Sequence, residues 1–315
     1  MSGRSDQTEL PDERAHPLVV DFGADAEVMD STTLHIAAPW LGGALREEIF
    51  AHATPLRAEH GLQLYRCGGL LLGHAHDPFV EVELVDRTQS LYSRVLNACA
   101  GRHLFRIWNY VPRINALTDG FENYRAFCVG RSLAFEQAFG ANFATVLPAA
   151  SAVGSQGEHL DVIFVAGEQL PQHFENPAQI PAYHYPAEHG PRAPSFARAT
   201  TAHDGRDTYT FISGTAAIRG HETVAPGSLA EQLDCTLDNL RLISRASGLG
   251  EQLGSGSDAR RFFKIYLRHA ADLDAARTRL EQTLLRPSDT VIYLQADICR
   301  EALNIEIEAT LVSHA

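Results

Sequence analysis

The order helix, strand, helix, strand, strand occurs twice along the 315 residues of this chain. The assignments follow apolar residues at helical spacing and short β-branched or aromatic runs, and Ser228 with Glu231 forms a capping box before one helix. The predicted elements are residues 84–95, 104–110, 123–139, 150–153 and 160–165 in the first half, and 229–240, 262–267, 273–284, 292–299 and 304–311 in the second. A repeated order of this kind indicates a duplicated unit.

Each half adds one or two strands at its front, at residues 33–38 and 62–72 in the first half and at 196–201 and 208–213 in the second. Helices on one face of a sheet leave the other face free to cover the partner sheet. The sequence therefore predicts an α+β fold of two lobes, each a mixed sheet with helices on one face. The predicted boundaries are an N-terminal lobe at 1–170, a connecting segment at 171–195 and a C-terminal lobe at 196–315.

The last predicted strand, at 304–311, has two glutamates on one face and apolar residues on the other. Strict alternation places Ile305 and Ile307 on one face and Glu306 and Glu308 on the other. The strand predicted at 292–299 alternates in the same way, so two adjacent strands are predicted to share a polar face that includes Cys299. If this face is covered, burial raises the pKa of Glu306 and makes it a general acid. Glu308 lies nearer the strand end, where a solvent or structural role is expected.

The charge balance restricts the ligands. With 26 Lys and Arg against 39 Asp and Glu, the net charge of -13 opposes nucleic acid and anionic membranes as partners. An anionic ligand then needs local arginines, whose forked guanidinium groups suit carboxylates. Arg131 stands out because it falls on the apolar stripe of its helix, and Arg198 is the next candidate. Four others could each be a ligand contact or a surface charge: Arg106, Arg113, Arg125 and Arg219.

The chain shows no sign of a metal site, a disulfide framework or a membrane span. Its five cysteines lack CxxC or Cys/His ligand spacing, so we expect reduced thiols and no metal or organic cofactor. No apolar run approaches the ~20 residues of a membrane span, and residues 1–14 lack the apolar core of a signal peptide. These features predict a cytoplasmic protein.

Several sequence blocks resemble known families. The second half resembles the RidA/YjgF family through Gly190-Pro191, Ser213-Gly214 and the Ile-Glu-Ile-Glu-Ala run at 305–309. The whole chain, from about residue 60 to 315, resembles the chorismatases, which are built from two such lobes. Three blocks carry this closer match: RIWNYVPRIN at 106–115, ENYRAFCVGRS at 122–132 and PSFARAT at 194–200.

The resemblance implies a substrate, chorismate, with a ring carboxylate, an enolpyruvyl ether and a neighbouring hydroxyl. Glu306 would protonate the enol ether, and Arg131 and Arg198 would bind carboxylates. Tyr185, in the connecting segment, would line the cleft, while Ser213 and Gly214 would place a hydroxyl and a bare backbone beside the ligand. The predicted products are pyruvate and 3-hydroxybenzoate.

The identity of residue 299, a cysteine, predicts which product is formed. A cysteine at this position resembles the chorismatases that form 3-hydroxybenzoate, whereas those that hydrolyse chorismate to a dihydroxycyclohexadienoate carry a small inert residue there. A RidA-like imine hydrolase and a non-catalytic metabolite-binding protein are further alternatives. The arginine that RidA enzymes pair with the strand glutamate has no counterpart in the apolar region near 291–292, which argues against the imine hydrolase. Because single-lobe relatives form trimers, both a monomer and a trimer stay open.

Overall fold

The computed structural model describes residues 16–23, 32–254 and 257–314. Residues 1–14, on which part of the expectation of a cytoplasmic protein rests, lie outside this range. Among the described residues, no helix combines the length and the apolar character that a bilayer-spanning segment needs.

The described residues form four α-helices and nineteen strands. The helices are α1 (Leu84–Ala98), α2 (Asn123–Phe139), α3 (Leu229–Ala246) and α4 (Leu273–Thr283). The strands are β1 (His16–Phe22), β2 (Thr33–Ile36), β3 (Trp40–Gly43), β4 (Arg46–Glu59), β5 (Leu62–Cys67), β6 (Leu70–Pro78), β7 (His103–Pro112), β8 (Leu117–Thr118), β9 (Phe121–Glu122), β10 (Ala149–Ser155), β11 (His159–Gly167), β12 (Gln172–Phe174), β13 (Ala199–His203), β14 (Asp207–Thr215), β15 (Ile218–Arg219), β16 (Glu222–Thr223), β17 (Arg260–Leu267), β18 (Thr290–Gln295) and β19 (Ile305–His314).

Two large mixed sheets dominate the fold. One has the strand order β10-β7-β11-β6-β5-β4-β1-β2, and the other β12-β13-β14-β19-β17-β18-β3. The run β10-β7-β11-β6-β5 repeats as β18-β17-β19-β14-β13, with the same parallel first pair and antiparallel remainder. The predicted α+β class is therefore confirmed, and the repeated strand order accounts for the repeated sequence pattern.

The layers run helices, sheet, sheet, helices. One core lies between α1, α2 and the first sheet and contains Leu91, Phe127 and Phe164. A second lies between α3, α4 and the second sheet. The largest fills the space between the two sheets, where Trp108 meets Phe211 edge to face with ring centroids 6.2 Å apart. Each sheet thus covers the helix-free face of the other.

Two short strands tie this arrangement together. β3, from the first half of the chain, pairs antiparallel with β18 at one edge of the second sheet. β12 pairs with β13 at the opposite edge. The second sheet therefore takes edge strands from two earlier parts of the chain, which joins the two sheets covalently as well as by packing.

The predicted shared polar face of the two C-terminal strands is wrong. β17 lies between β18 and β19, so these strands are not neighbours. β18 also ends at Gln295, and Ile292 and Leu294 point into the core between the sheets while Ile305 and Ile307 pack beneath the helices. The parity of β19 is nevertheless as predicted, and the first sheet is what covers Glu306 and Glu308.

Candidate active site

A cavity of about 400 Å³ opens between α2, the connecting segment and the turn that follows β18. Its floor is made by β10, the end of β14 and Glu306 of β19, so both sheets contribute to it. The volume is within the range of sites that enclose small molecules. Aromatic and aliphatic side chains share the wall with four arginines: Arg125, Arg131, Arg198 and Arg300.

Glu306 is buried at the floor of this cavity, with 3% of its surface exposed. Its Oε1 atom has no hydrogen-bond partner among the described residues. Burial, followed by the charge of Glu308, raises the pKa of Glu306 to about 8, although Arg106 and Arg198 oppose the shift. The carboxyl group is therefore protonated near neutral pH and can donate a proton to a bound ligand.

Glu308, two residues along the same face, has the opposite environment. Its carboxylate accepts hydrogen bonds from Arg106 Nη2 at 2.6 Å and Trp108 Nε1 at 2.7 Å, and lies 3.1 Å from Lys264 Nζ. Burial raises the pKa of Glu308, but Lys264 and Arg106 more than offset this, so the pKa lies below its usual value. Glu308 is therefore a buried anion held by charged partners between the sheets. This agrees with the structural role predicted for it and not with exposure to solvent.

The charges around Glu308 continue to a second carboxylate. Lys264 Nζ lies 2.6 Å from Glu47 Oε2 on β4, and both side chains are buried. Two anions and two cations, Glu47, Glu308, Lys264 and Arg106, thus balance between the sheets. This set is already neutral, and burial of Glu306 outweighs the attraction of Arg106 and Arg198, which is why Glu306 holds its proton.

Gly214 lies directly beside the Glu306 carboxyl group. An ideal Cβ atom added at Gly214 would be 2.0 Å from Glu306 Oε1, so only glycine leaves room for the acid. Ser213 points elsewhere: its hydroxyl donates to the Ala197 carbonyl at 2.6 Å and accepts from the Ala150 amide at 2.8 Å. Ser213 thus joins β14 to β10, and its role as a substrate contact stays a prediction.

Arg131 is placed by α2, as its position on the apolar stripe indicated. It is 3% exposed, and its guanidinium lies 5.3 Å from the Tyr92 ring centroid and 5.8 Å from that of Phe135. Its Nε and Nη2 atoms have no hydrogen-bond partner among the described residues. A buried guanidinium with free donors facing a cavity is suited to bind a carboxylate.

Arg198 and Tyr185 form a hydrogen-bonded pair that also lines the cavity. Arg198 is 5% exposed, and its Nη2 donates to the Tyr185 hydroxyl at 2.7 Å, while its Nε is unpartnered within the described residues. Glu175, nearby in the connecting segment, has its pKa raised to about 7 by burial against the opposing effect of Arg198. The charge of Arg198 is therefore incompletely neutralised by protein groups and remains available to an anion.

Cys299 lies in the turn after β18 rather than on a strand, and it lines the cavity with Glu306. Burial, followed by the charge of Glu306, raises the pKa of Cys299 to about 12. The group is therefore a neutral thiol. Tyr124 and Cys128 of α2 extend the same wall and hydrogen-bond to each other.

Comparison with known proteins identifies the family of this chain. Residues 48–166 match the family model described as chorismatase FkbO/Hyg5-like, N-terminal. A crystal structure of a chorismatase superposes with a TM-score of 0.79 at 30% sequence identity, covering 98% of this chain and 96% of that one. The chain belongs to the chorismatase family. Within this family, a 3-hydroxybenzoate synthase from Streptomyces hygroscopicus is 40% identical over 220 residues, and a protein named chorismatase from the same organism is 40% identical over 231.

The similarity to these curated chorismatases is partial in extent. It covers 66% and 71% of this chain, and 63% and 66% of the two relatives, slightly less than two thirds of each. The solved chorismatase, by contrast, is matched over nearly its whole length.

The sequence analysis did not identify Arg300 as a residue of the cavity. Arg300 lines the wall, and its guanidinium stacks 5.3 Å from the Tyr185 ring centroid. Its position directly after Cys299 was the available signal. Arg106, which the sequence left unranked, is buried in the Glu308 network, whereas Arg113 is an exposed partner of Glu81.

Proposed function

We propose that this chain cleaves chorismate to pyruvate and 3-hydroxybenzoate, with Glu306 as the general acid. The observation that carries the proposal is the buried, unpartnered Glu306 carboxyl group, protonated at neutral pH, in a cavity lined by four arginines. The curated relative named 3-hydroxybenzoate synthase supports the choice of reaction.

The chemistry begins at the enol ether. Proton transfer from Glu306 to the vinyl methylene creates an oxocarbenium-like carbon, and a positioned acid contributes about 10²- to 10⁴-fold to such a step. The neighbouring ring hydroxyl then attacks the ring carbon that bears the ether, the C–O bond breaks and pyruvate leaves. The strained ring intermediate opens and loses a proton, giving 3-hydroxybenzoate. Chorismate is thereby divided into pyruvate and 3-hydroxybenzoate without water being consumed.

Arg131 and Arg198 bind the two carboxylates of the substrate in this proposal. Both are nearly fully buried and both have unpartnered guanidinium nitrogens, so binding satisfies donors that are otherwise unsatisfied. They lie on different elements, α2 and the segment before β13, which allows one arginine to hold each end of a dicarboxylate.

Cys299 sets the product in this proposal. With a pKa near 12 the thiol is neutral, so it acts as a proton relay or as a shape-determining group rather than as a nucleophile. Cys299 lines the cavity together with Glu306, so its side chain also limits the space in which water could add to the oxocarbenium-like carbon. The hydrolytic product, a dihydroxycyclohexadienoate, forms when water instead of the internal hydroxyl takes part.

The test is end-product analysis with pure chorismate. Wild-type protein is expected to release equal amounts of pyruvate and 3-hydroxybenzoate, and Glu306→Gln to release neither. Glu281→Gln is the matched control, since it makes the same change on the exposed face of α4, outside the cavity. Turnover by folded Glu306→Gln at the wild-type rate would remove the acid. Chorismate binding without pyruvate release by wild type would identify a binding protein.

A further inference from the structure

Glu188, His189 and His221 converge on one point beside the cavity, although 32 residues separate the two histidines. Glu188 and His189 belong to the connecting segment, and His221 lies at the tip of the β15–β16 hairpin. His189 Nε2 lies 3.0 Å from His221 Nδ1, and Glu188 Oε1 lies 3.4 Å from the first and 3.3 Å from the second. Three ligand atoms thus form a nearly equilateral triangle.

Hydrogen bonds alone do not satisfy this triangle. A neutral imidazole carries one N–H, so each of the two ring nitrogens is either a donor or an acceptor. If one nitrogen carries hydrogen, the other opposes the carboxylate oxygen with lone pair against lone pair. If both carry hydrogen, the two N–H groups oppose each other. In every combination of neutral tautomers at least one of the three short contacts is repulsive.

A single cation makes all three contacts favourable. Tetrahedral ligands about 2.0–2.1 Å from Zn²⁺ hold their donor atoms roughly 3.3–3.4 Å apart, close to the spacing seen here. Two imidazoles and one carboxylate leave a fourth position for water. The side chains are accessible, with 21% and 25% of the histidines and 63% of Glu188 exposed, so an ion can enter from solvent.

We infer that this cluster binds a divalent transition metal of the Zn²⁺ or Co²⁺ class. Hard cations such as Mg²⁺ and Ca²⁺ are disfavoured because they need mainly oxygen ligands and the site offers one carboxylate. Arg300 Nη1 donates to the His221 carbonyl at 2.7 Å, and its positive charge opposes a cation at this site. Binding therefore has to come from coordinate bonds to the imidazoles, which transition metals form and Mg²⁺ and Ca²⁺ do not favour.

The bound metal joins two segments that border the cavity. His189 lines its wall, as do Glu222 and Thr223 directly after His221. The hairpin already contacts the connecting segment through the hydrogen bonds Ile180 N to Gly220 O and Gly220 N to Ala178 O, both 2.9 Å. A metal at the tip would fix this contact and restrain the cavity mouth.

The test is titration of untagged, chelator-treated protein with Co²⁺ near neutral pH, followed by competition with Zn²⁺. We expect visible d–d bands of a site with nitrogen and oxygen ligands, displaced by Zn²⁺ but not by Mg²⁺ or Ca²⁺. Loss of a ligand in His221→Ala, or in the exposed Glu188→Gln, should weaken binding at least about tenfold. His184→Ala is the matched control, because it changes an exposed histidine of the same segment outside the cluster.

Hydrogen exchange then tests the restraint. Zn²⁺ should slow amide exchange in residues 186–191 and 218–223 of wild type, but not of Glu188→Gln. Three results would each overturn the inference: no Co²⁺ bands, bands with thiolate character that vanish in Cys299→Ala but persist in His221→Ala, or equal binding of Mg²⁺. None of these depends on chorismate turnover.

Discussion

Substituting Gly214 by alanine should disable the proposed acid without touching its chemistry. The added Cβ atom would be 2.0 Å from Glu306 Oε1 and 2.6 Å from Glu306 Cδ, whereas ordinary contacts begin at 3.4 Å. The carboxyl oxygen must therefore retreat by about 1.4 Å. Ser151, whose Cβ would be 3.1 Å away, closes the alternative direction for the methyl group.

A displacement of this size has a calculable cost. Misplacing a reacting group by about 1 Å costs about 10²-fold in rate, which corresponds to roughly 2.7 kcal/mol in the activation free energy. Overpacking should lower the free energy of unfolding by about 1–3 kcal/mol, which leaves the protein folded at room temperature. The two effects are separated by measuring pyruvate release from chorismate and thermal denaturation on the same sample.

Gly23→Ala provides the matched control, since no atom lies within 4 Å of the Cβ position at Gly23. That variant should retain wild-type turnover. A double variant, Gly214→Ala with Glu306→Asp, should lose less than the two single losses combined, because the shorter side chain relieves the clash. If folded Gly214→Ala cleaves chorismate as fast as wild type, Glu306 is not held where the proton is needed.

Four further predictions follow from the same cavity. With the pKa of Glu306 at about 8, kcat/KM should be steady below that pH and fall above it as the acid loses its proton; a profile unchanged up to pH 10 would contradict this. The same raised pKa means that the folded protein holds a proton which the unfolded chain loses above about pH 4.5. The contribution of Glu306 to the free energy of unfolding should thus decrease between pH 4.5 and 8, by up to about 1.4 kcal/mol per pH unit, so denaturant titrations of wild type and Glu306→Gln should diverge by this amount as the pH rises. Cys299→Ala should shift the product from 3-hydroxybenzoate towards the dihydroxycyclohexadienoate, and an unchanged ratio by mass spectrometry would leave Cys299 as a packing residue. Arg131→Lys should raise KM for chorismate about tenfold, the cost of one charge-assisted hydrogen bond of roughly 1.5 kcal/mol, whereas the exposed Arg241→Lys should leave it unchanged.

Local patterns in the sequence carried much of the fold. The helix predicted at residues 123–139 is α2 with the same ends, and the capping box at Ser228 opens α3 with the Ser228 hydroxyl accepting the Glu231 amide. Both depend on side chains within a few residues of one another, which a sequence displays directly. β4 was missed, because nine of its fourteen residues are exposed and it shows only weak alternation.

Pairing between strands was where local reasoning failed. Adjacent positions in the chain suggested that β18 and β19 are neighbours, but β17 lies between them. β17 and β18 form a parallel pair, which requires a crossover, here through α4. β19 then pairs with the other edge of β17, so the spatial order is β18-β17-β19. Alternation fixes which residues share a face of one strand, and says nothing about which strand lies beside it.

The sequence by itself determined that Glu306 and Glu308 point to the same side of one strand, because side chains alternate along any extended chain. Only the tertiary structure decided that the two carboxyl groups differ. Arg106, 202 residues away, and Lys264, held by Glu47 from 217 residues away, neutralise Glu308, and no comparable partner reaches Glu306 among the described residues. The charge of a buried carboxyl group depends on neighbours in space, and the folded sheets, rather than the order of residues, bring those neighbours together.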